Sequence, residues 1–126
     1  MRVLIVESDP NLGSLWARHL HSYDVDVNVA HSQDDAIGLL AEKSVDIIVL
    51  DIVIDGGSAF AVADYASYRH PDTRVIFVTR NTFFSDGSIF RHIPNACAYI
   101  GASTRPDDLA AMVEHYGRGL EPARPH

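Results

Sequence analysis

The stretch Ile47-Ile48-Val49-Leu50-Asp51 lies near the middle of the chain and decides how the rest of the sequence is interpreted. Its apolar run is short and uninterrupted, which is typical of a strand buried on both faces of a parallel sheet. An acidic residue that follows a strand is commonly a cap or a turn residue. Asp51 alone therefore does not indicate a functional site, and the polar residues near it must be considered. The prediction at this point is a central parallel strand with Asp51 at its carboxyl end.

On either side of this stretch, strand patterns alternate with helical patterns. Apolar or alternating runs predict strands at residues 3–6, 25–30, 45–50, 75–78 and 96–100. Apolar residues recur at helical spacing within residues 12–20, 36–40, 59–66 and 109–116. The segment 81–92 is the weakest helix prediction, because it contains Gly87 and three phenylalanines without a clean apolar stripe.

Polar residues mark the ends of several predicted helices. Asp9-Pro10 places a cap acceptor before a proline at the first helical position. Ser32 and Asp35 have the spacing of a capping box, with Asp where Glu is usual. His70 precedes a proline, which pushes it out of the helical region and ends the third helix.

This alternation predicts an α/β fold with a single, doubly wound, five-stranded parallel sheet. Parallel strands need crossover connections, so the helices should cover both faces of the sheet. One domain is expected over residues 1–117, since 126 residues suffice for one core. Residues 118–126 are expected to form a flexible tail.

Composition excludes some classes of function. The formal net charge of −7 argues against a nucleic-acid surface, because such a surface needs a basic stripe that displaces counterions. No apolar run approaches the roughly 18 residues that a membrane span needs, and the amino terminus does not resemble a signal peptide. We therefore expect a cytoplasmic domain that binds neither nucleic acid nor membrane.

Polar residues follow several of the predicted strands directly. Glu7 follows the first strand, Asp51 closes the third and Thr79 closes the fourth. In an open parallel sheet, ligands bind outside the carboxyl ends of the strands, near the point where the strand order reverses. Two carboxylates and a hydroxyl are therefore expected to converge on one rim.

The same segments carry a resemblance to a known family. Residues 4–10 (Leu-Ile-Val-Glu-Ser-Asp-Pro), 47–51, 75–79 and 98–100 resemble, in this order, the receiver domains of two-component response regulators. The resemblance covers roughly residues 2–116. It implies a flavodoxin-like (βα)5 fold with strand order 2-1-3-4-5 and a role in phosphorelay signal transduction. A histidine kinase or phosphotransfer protein would be the phosphoryl donor.

The resemblance also implies roles for individual residues. Asp51 matches the phosphoacceptor, and Glu7, Asp51 and the backbone carbonyl of Val53 match the ligands of Mg²⁺. Thr79 matches the hydroxyl that binds and senses the phosphoryl group, and Tyr99 matches the aromatic residue that moves inward in response. The chemistry is coherent, because a divalent cation neutralises charge and aligns a carboxylate with an anionic phosphoryl group.

Several positions depart from the family pattern. Ser8 replaces the second acid of the family's acidic pair, and Ala102 replaces its lysine after the fifth strand. Ser103 replaces the proline that follows this lysine, and Ile54-Asp55 replaces the usual Met-Pro. Asp9 is interpreted as a helix cap and not as a substitute metal ligand. We therefore expect a degenerate phosphorylation pocket with weak Mg²⁺ binding.

Arg80 follows Thr79, where a small residue is usual in the family, and it has two interpretations. Its side chain lies over the mouth of the pocket with its head in water, or its guanidinium supplies the cation that is missing at Ala102.

Aromatic residues also have two interpretations. Phe83, Phe84, Phe90 and Tyr99 fall on the helix 4, strand 5 and helix 5 face of a receiver, which engages a downstream protein partner or a second copy. Aromatic anchors suit such a face. The alternative is that at least two of the phenylalanines belong to the core.

Three functions follow from these observations. The first is a response-regulator receiver that is phosphorylated on Asp51 and switches a protein-interaction face. The second is a pseudo-receiver that acts as a phosphorylation-independent interaction module. The third, a small enzyme that uses Glu7 and Asp51 as paired acids, lacks an evident base or cofactor loop, so no enzymatic activity is expected.

Overall fold

The five predicted strands form one parallel sheet. The structure, a computed structural model, describes residues 1–79 and 93–117. The strands are β1 (Arg2–Val6), β2 (Asp26–Ala30), β3 (Ile47–Asp51), β4 (Arg74–Thr79) and β5 (Ala96–Gly101). They are hydrogen-bonded in the order β2-β1-β3-β4-β5, and every neighbouring pair is parallel. The predicted strand order is confirmed.

Four helices connect or follow these strands within the described ranges. They are α1 (Pro10–His21), α2 (Gln33–Glu42), α3 (Ala59–Arg69) and α4 (Pro106–Gly117). Each contains a segment with the apolar spacing that predicted it. The weakest helix prediction, at 81–92, and the predicted tail at 118–126 lie outside the described residues. None of the helices that the structure describes is long and apolar enough to cross a bilayer.

The predicted helix caps are present. Asp9 Oδ1 accepts a hydrogen bond of 2.9 Å from the backbone N–H of Asn11 at the start of α1. Ser32 Oγ accepts one of 3.2 Å from the Asp35 N–H at the start of α2. His70 is the C-cap of α3. The side chains of Asp9 and Ser32 satisfy backbone donors that a helix leaves unpaired in its first turn.

The sheet is covered on both faces, as a doubly wound fold requires. Residues of β3 alternate between two apolar clusters, and all five of them are buried. Val49 packs with Trp16 of α1 and Val113 of α4 on one face. Leu50 packs on the other face with a cluster that includes Leu40 of α2 and Val62 of α3. The two-sided burial explains why this strand reads as a continuous apolar run.

Loss of the Asp9 cap should weaken the fold modestly. Asp9→Ala removes the acceptor for the first turn of α1, and caps of this kind contribute about 1 kcal/mol to stability. We expect the free energy of unfolding, measured in urea, to fall by about that amount. The control is Asp64→Ala at an exposed position of α3, and an equal loss in both variants would contradict the capping role.

Candidate functional site

The carboxyl ends of β1, β3 and β4 lie side by side in the sheet. Val6 pairs with Leu50, so Glu7 and Asp51 each follow one member of that pair. Asp51 pairs with Val78, and Thr79 is the next residue of β4. Because adjacent strands are about 4.8 Å apart, this register brings the three predicted residues to one edge of the sheet.

The two carboxylates are buried on the same face of the sheet. Glu7 and Asp51 are each 1% exposed. By strand alternation they continue the rows of Ile5 and Val49, which face α1 and α4. Gly13 of α1 supports this orientation, because a Cβ there would lie 3.7 Å from Glu7 Cβ.

Thr79 closes β4 beside the end of β5. It is 8% exposed, and alternation places its side chain with Phe77 on the face opposite that of Glu7 and Asp51, so Thr79 can approach Asp51 only at the edge of the sheet. Its carbonyl accepts a hydrogen bond of 2.8 Å from the N–H of Ala102. Position 102, where the family has its lysine, therefore lies next to Thr79 and carries only a methyl group.

Glu7 is held by contacts from both neighbouring loops. Its Oε2 accepts a hydrogen bond of 3.1 Å from the Asp9 N–H. Its backbone carbonyl lies 2.9 Å from Nδ1 of His31, and a carbonyl can only accept, so Nδ1 carries the proton. Its N–H donates to the Ala30 carbonyl at 3.0 Å. Glu7 is thus fixed at the start of the β1–α1 loop.

Asp51 organises the start of the loop that follows β3. Asp51 Oδ1 accepts a hydrogen bond of 2.9 Å from the backbone N–H of Val53. The N–H of Ile52 donates to the Val78 carbonyl at 3.0 Å, which continues the sheet one residue past Asp51. Val53 is 70% exposed. Val53, the predicted source of a backbone ligand, is therefore tied directly to the predicted phosphoacceptor.

The carboxylate of Asp9 and the hydroxyl of Ser8 have other partners. Asp9 caps α1, as the sequence predicted. Ser8 Oγ accepts a hydrogen bond of 2.6 Å from the N–H of Asp55 and donates one of 3.2 Å to the carbonyl of His31. Within the described part of the chain, no group of three or more His, Cys, Asp or Glu side chains could hold a metal ion.

The remaining predicted residues divide into two groups. Tyr99 lies on β5, pairs with Phe77 and is 37% exposed. Arg80, Phe83, Phe84 and Phe90 lie outside the described residues, so both interpretations of Arg80 and of the phenylalanines stay predictions.

Sequence reasoning missed three residues of this edge: His31, Gln33 and Asp55. His31 directly follows β2, so the rule that placed Glu7 and Asp51 at the carboxyl edge could have included it. Gln33 and Asp55 carry no comparable signal, because their contacts depend on loop conformation.

Comparisons with known proteins agree with the fold of the chain. Residues 3–113 match the family model of the response regulator receiver domain. The curated heme response regulator HssR of Staphylococcus aureus is 31% identical over 86 residues, which are 68% of this chain and 38% of that protein. The chain thus matches well under half of the length of this relative.

Solved structures show the same fold. A CheY-like receiver domain from Methanospirillum hungatei has a TM-score of 0.85 at 20% identity and covers 98% of both chains. The response regulator TrrA from Thermotoga maritima, in complex with Mg²⁺ and BeF, has a TM-score of 0.78 at 25% identity, over 91% of this chain and 97% of TrrA. The family match, the strand order and the carboxylates at the sheet edge lead to one conclusion: the chain belongs to the response regulator receiver domain family of two-component systems.

Proposed function

We propose that this receiver domain accepts a phosphoryl group on the carboxylate of Asp51, with Mg²⁺ as the cofactor. The donor would be a histidine kinase or a phosphotransfer protein, the partners with which receiver domains interact. The observation that supports this proposal most is the burial of Glu7 and Asp51 at the ends of adjacent strands. Ligands of an open parallel sheet bind at this edge, where the two buried carboxylates follow neighbouring strands.

The donor set at this edge suits Mg²⁺. Glu7 and Asp51 offer carboxylate oxygens and Val53 offers a backbone carbonyl, and Mg²⁺ prefers such hard oxygen ligands while keeping several waters. When bound, Mg²⁺ would neutralise charge on the phosphoryl group and align it with the attacking carboxylate. We expect weak binding, because Ser8 stands where the family has a carboxylate and its hydroxyl is already bonded to Asp55 and His31.

Each residue at this edge would have its own role in the phosphoryl transfer. A carboxylate oxygen of Asp51 attacks phosphorus, and the bond from phosphorus to the donor breaks as the new bond forms. The Val53 N–H orients the attacking carboxylate through Oδ1. The Thr79 hydroxyl binds a phosphoryl oxygen, and we propose Arg80, the next residue, as the cation that replaces the lysine missing at Ala102.

Phosphorylation would change the interaction face at the side of the sheet that β5 forms. β5 is the last strand in the sheet order, and Tyr99 on it is partly exposed. We propose that Thr79 engagement moves Tyr99 and changes the face to which Phe83, Phe84 and Phe90 are assigned. A downstream protein or a second copy of the chain would bind there.

The domain limit at residue 117 and the cytoplasmic location also stay proposals.

Incubation with acetyl phosphate and Mg²⁺, followed by intact mass measurement, tests the proposal. We expect a mass gain of one phosphoryl group that disappears when Mg²⁺ is removed by a chelator. A gain that is independent of Mg²⁺ would contradict the metal part of the proposal. No gain with any donor would contradict phosphorylation itself.

The alternative is a pseudo-receiver that binds partners without phosphorylation. Two observations favour it: the Ser8 hydroxyl is engaged in loop contacts, and Ala102 supplies no charge beside Thr79. In that case partner binding would be equal in wild type and in Asp51→Asn, and the mass measurement would show no gain.

A further inference from the structure

We propose that Ser8 is a positioning residue that holds the loop at residues 52–58 in its working conformation before any metal binds. With Gln33 it forms a clasp, defined by two contacts: Ser8 to Asp55 and Gln33 to Ser58. The loop contains Val53, so the clasp would preorganise the proposed Mg²⁺ site. The metal part of this inference rests on the proposed function, whereas the loop contacts do not.

The first contact of the clasp joins three loops through one hydroxyl. Ser8 Oγ accepts from the Asp55 N–H at 2.6 Å and donates to the His31 carbonyl at 3.2 Å. A serine hydroxyl has one donor and can accept as well, so both bonds form at once. The β1–α1 loop is thereby joined to the β2–α2 connection and to the loop after β3.

The second contact fixes the far end of the loop to the start of α2. Gln33 Oε1 accepts a hydrogen bond of 2.7 Å from the N–H of Ser58, the N-cap of α3. Ser32 and Asp55 also form an isolated parallel β-bridge. Gly57 packs so closely that a Cβ there would overlap the Gln33 side chain. The two segments therefore meet at one backbone bridge and through the side chain of Gln33.

The near end of the loop is fixed independently. The Val53 N–H bonds to Asp51 Oδ1, and Ile54 is 7% exposed in the apolar cluster beneath α2 and α3. Val53 thus lies between two anchored points. A ligand group that is already ordered loses less entropy on binding, so the clasp should raise the affinity of a site that lacks the usual second acid.

Two departures from the family pattern, Ser8 in place of an acid and Asp55 in place of a proline, lie at the two ends of one hydrogen bond. A carboxylate at position 8 could not donate to the His31 carbonyl, because an ionised acid only accepts. A proline at position 55 could not donate to Ser8, because it has no N–H. A proline at position 55 would therefore remove the contact with Ser8, whereas a carboxylate at position 8 would keep that contact and lose only the bond to the His31 carbonyl.

Amide hydrogen exchange of the metal-free protein tests the clasp. Ser8→Ala should speed exchange of the Asp55 amide about tenfold, because it removes the acceptor, while amides of β3 stay unchanged. Ser8→Thr keeps the hydroxyl and should restore slow exchange. Gln33→Leu should speed exchange of the Ser58 amide in the same way. Ser22→Ala is the control, since it removes another hydroxyl bonded to a carbonyl, that of His19, at the far end of α1.

A Mg²⁺ titration then separates positioning from stability. Ser8→Ala should weaken Mg²⁺ binding several-fold, whereas Ser22→Ala should not, even where both lower the unfolding temperature equally. Unchanged Asp55 exchange in Ser8→Ala, or equal acceleration of every amide, would overturn the clasp. Equal Mg²⁺ affinity in Ser8→Ala and wild type would overturn its positioning role. If no variant binds Mg²⁺ but the exchange pattern is as expected, the clasp stands and the proposed metal site fails.

Discussion

Asp51→Asn is expected to abolish the gain of a phosphoryl group from acetyl phosphate and Mg²⁺. The amide keeps the size and most contacts of the carboxylate, including an oxygen that can accept from the Val53 N–H. It lacks the charge that makes the carboxylate a nucleophile and a metal ligand. Intact mass measurement should therefore show no phosphorylated species in this variant, whatever the incubation time.

The matched control for this loss is Asp64→Asn, at an exposed aspartate of α3. It removes the same charge outside the proposed site and should leave the mass gain at the wild-type level. A phosphoryl gain that persists in Asp51→Asn would move the acceptor to another residue. A loss of the gain in both variants would indicate that net charge, and not the site, governs the reaction.

Glu7→Gln is expected to weaken Mg²⁺ binding by about 30-fold or more. Truncating one member of a buried charged interaction commonly costs about 2 kcal/mol or more, and 1.4 kcal/mol corresponds to a factor of ten. Glu7 is as deeply buried as Asp51, so water and salt screen its charge much less than that of a surface carboxylate. An NMR titration with Mg²⁺ should show the shift of the binding midpoint.

Glu42→Gln at the exposed end of α2 is the control for this second prediction. It changes the net charge by the same amount and should leave the Mg²⁺ midpoint unchanged. If Glu7→Gln binds Mg²⁺ as tightly as wild type, Glu7 is not a metal ligand, and its role is confined to holding the β1–α1 loop.

The sheet could be predicted because its signal is strong and local. Residues 47–50 are apolar without interruption because β3 is covered on both faces. The predicted boundaries are wrong by one or two residues: the predicted strand spans residues 45–50, whereas β3 is Ile47–Asp51. Val45 is nonetheless buried. Its hydrophobicity is therefore explained by packing in the core and not by membership of β3.

The edge of the sheet could be predicted in part. The rule that ligand groups follow parallel strands placed Glu7, Asp51 and Thr79 together, and the register confirms that they share one edge. The roles of these residues stay proposals.

The loop contacts at this edge could not be predicted, for a physical reason. Ser8 and Asp55 are 47 residues apart, and Gln33 and Ser58 are 25 apart. No periodicity relates them, because each bond depends on the conformation of an irregular loop and not on a repeating backbone. The sequence pattern identifies Ser8 only as the replacement of an acid, whereas in the structure its hydroxyl joins three loops.

The central claim is that Glu7 and Asp51 bind one and the same ion. The most direct test is the Mg²⁺ dissociation constant of wild type, Glu7→Gln, Asp51→Asn and the double variant. Because ligands of one ion are coupled, we predict that the loss of binding free energy in the double variant is smaller than the sum of the two single losses. Free-energy losses that simply add, or Mg²⁺ binding that neither substitution changes, would contradict the account.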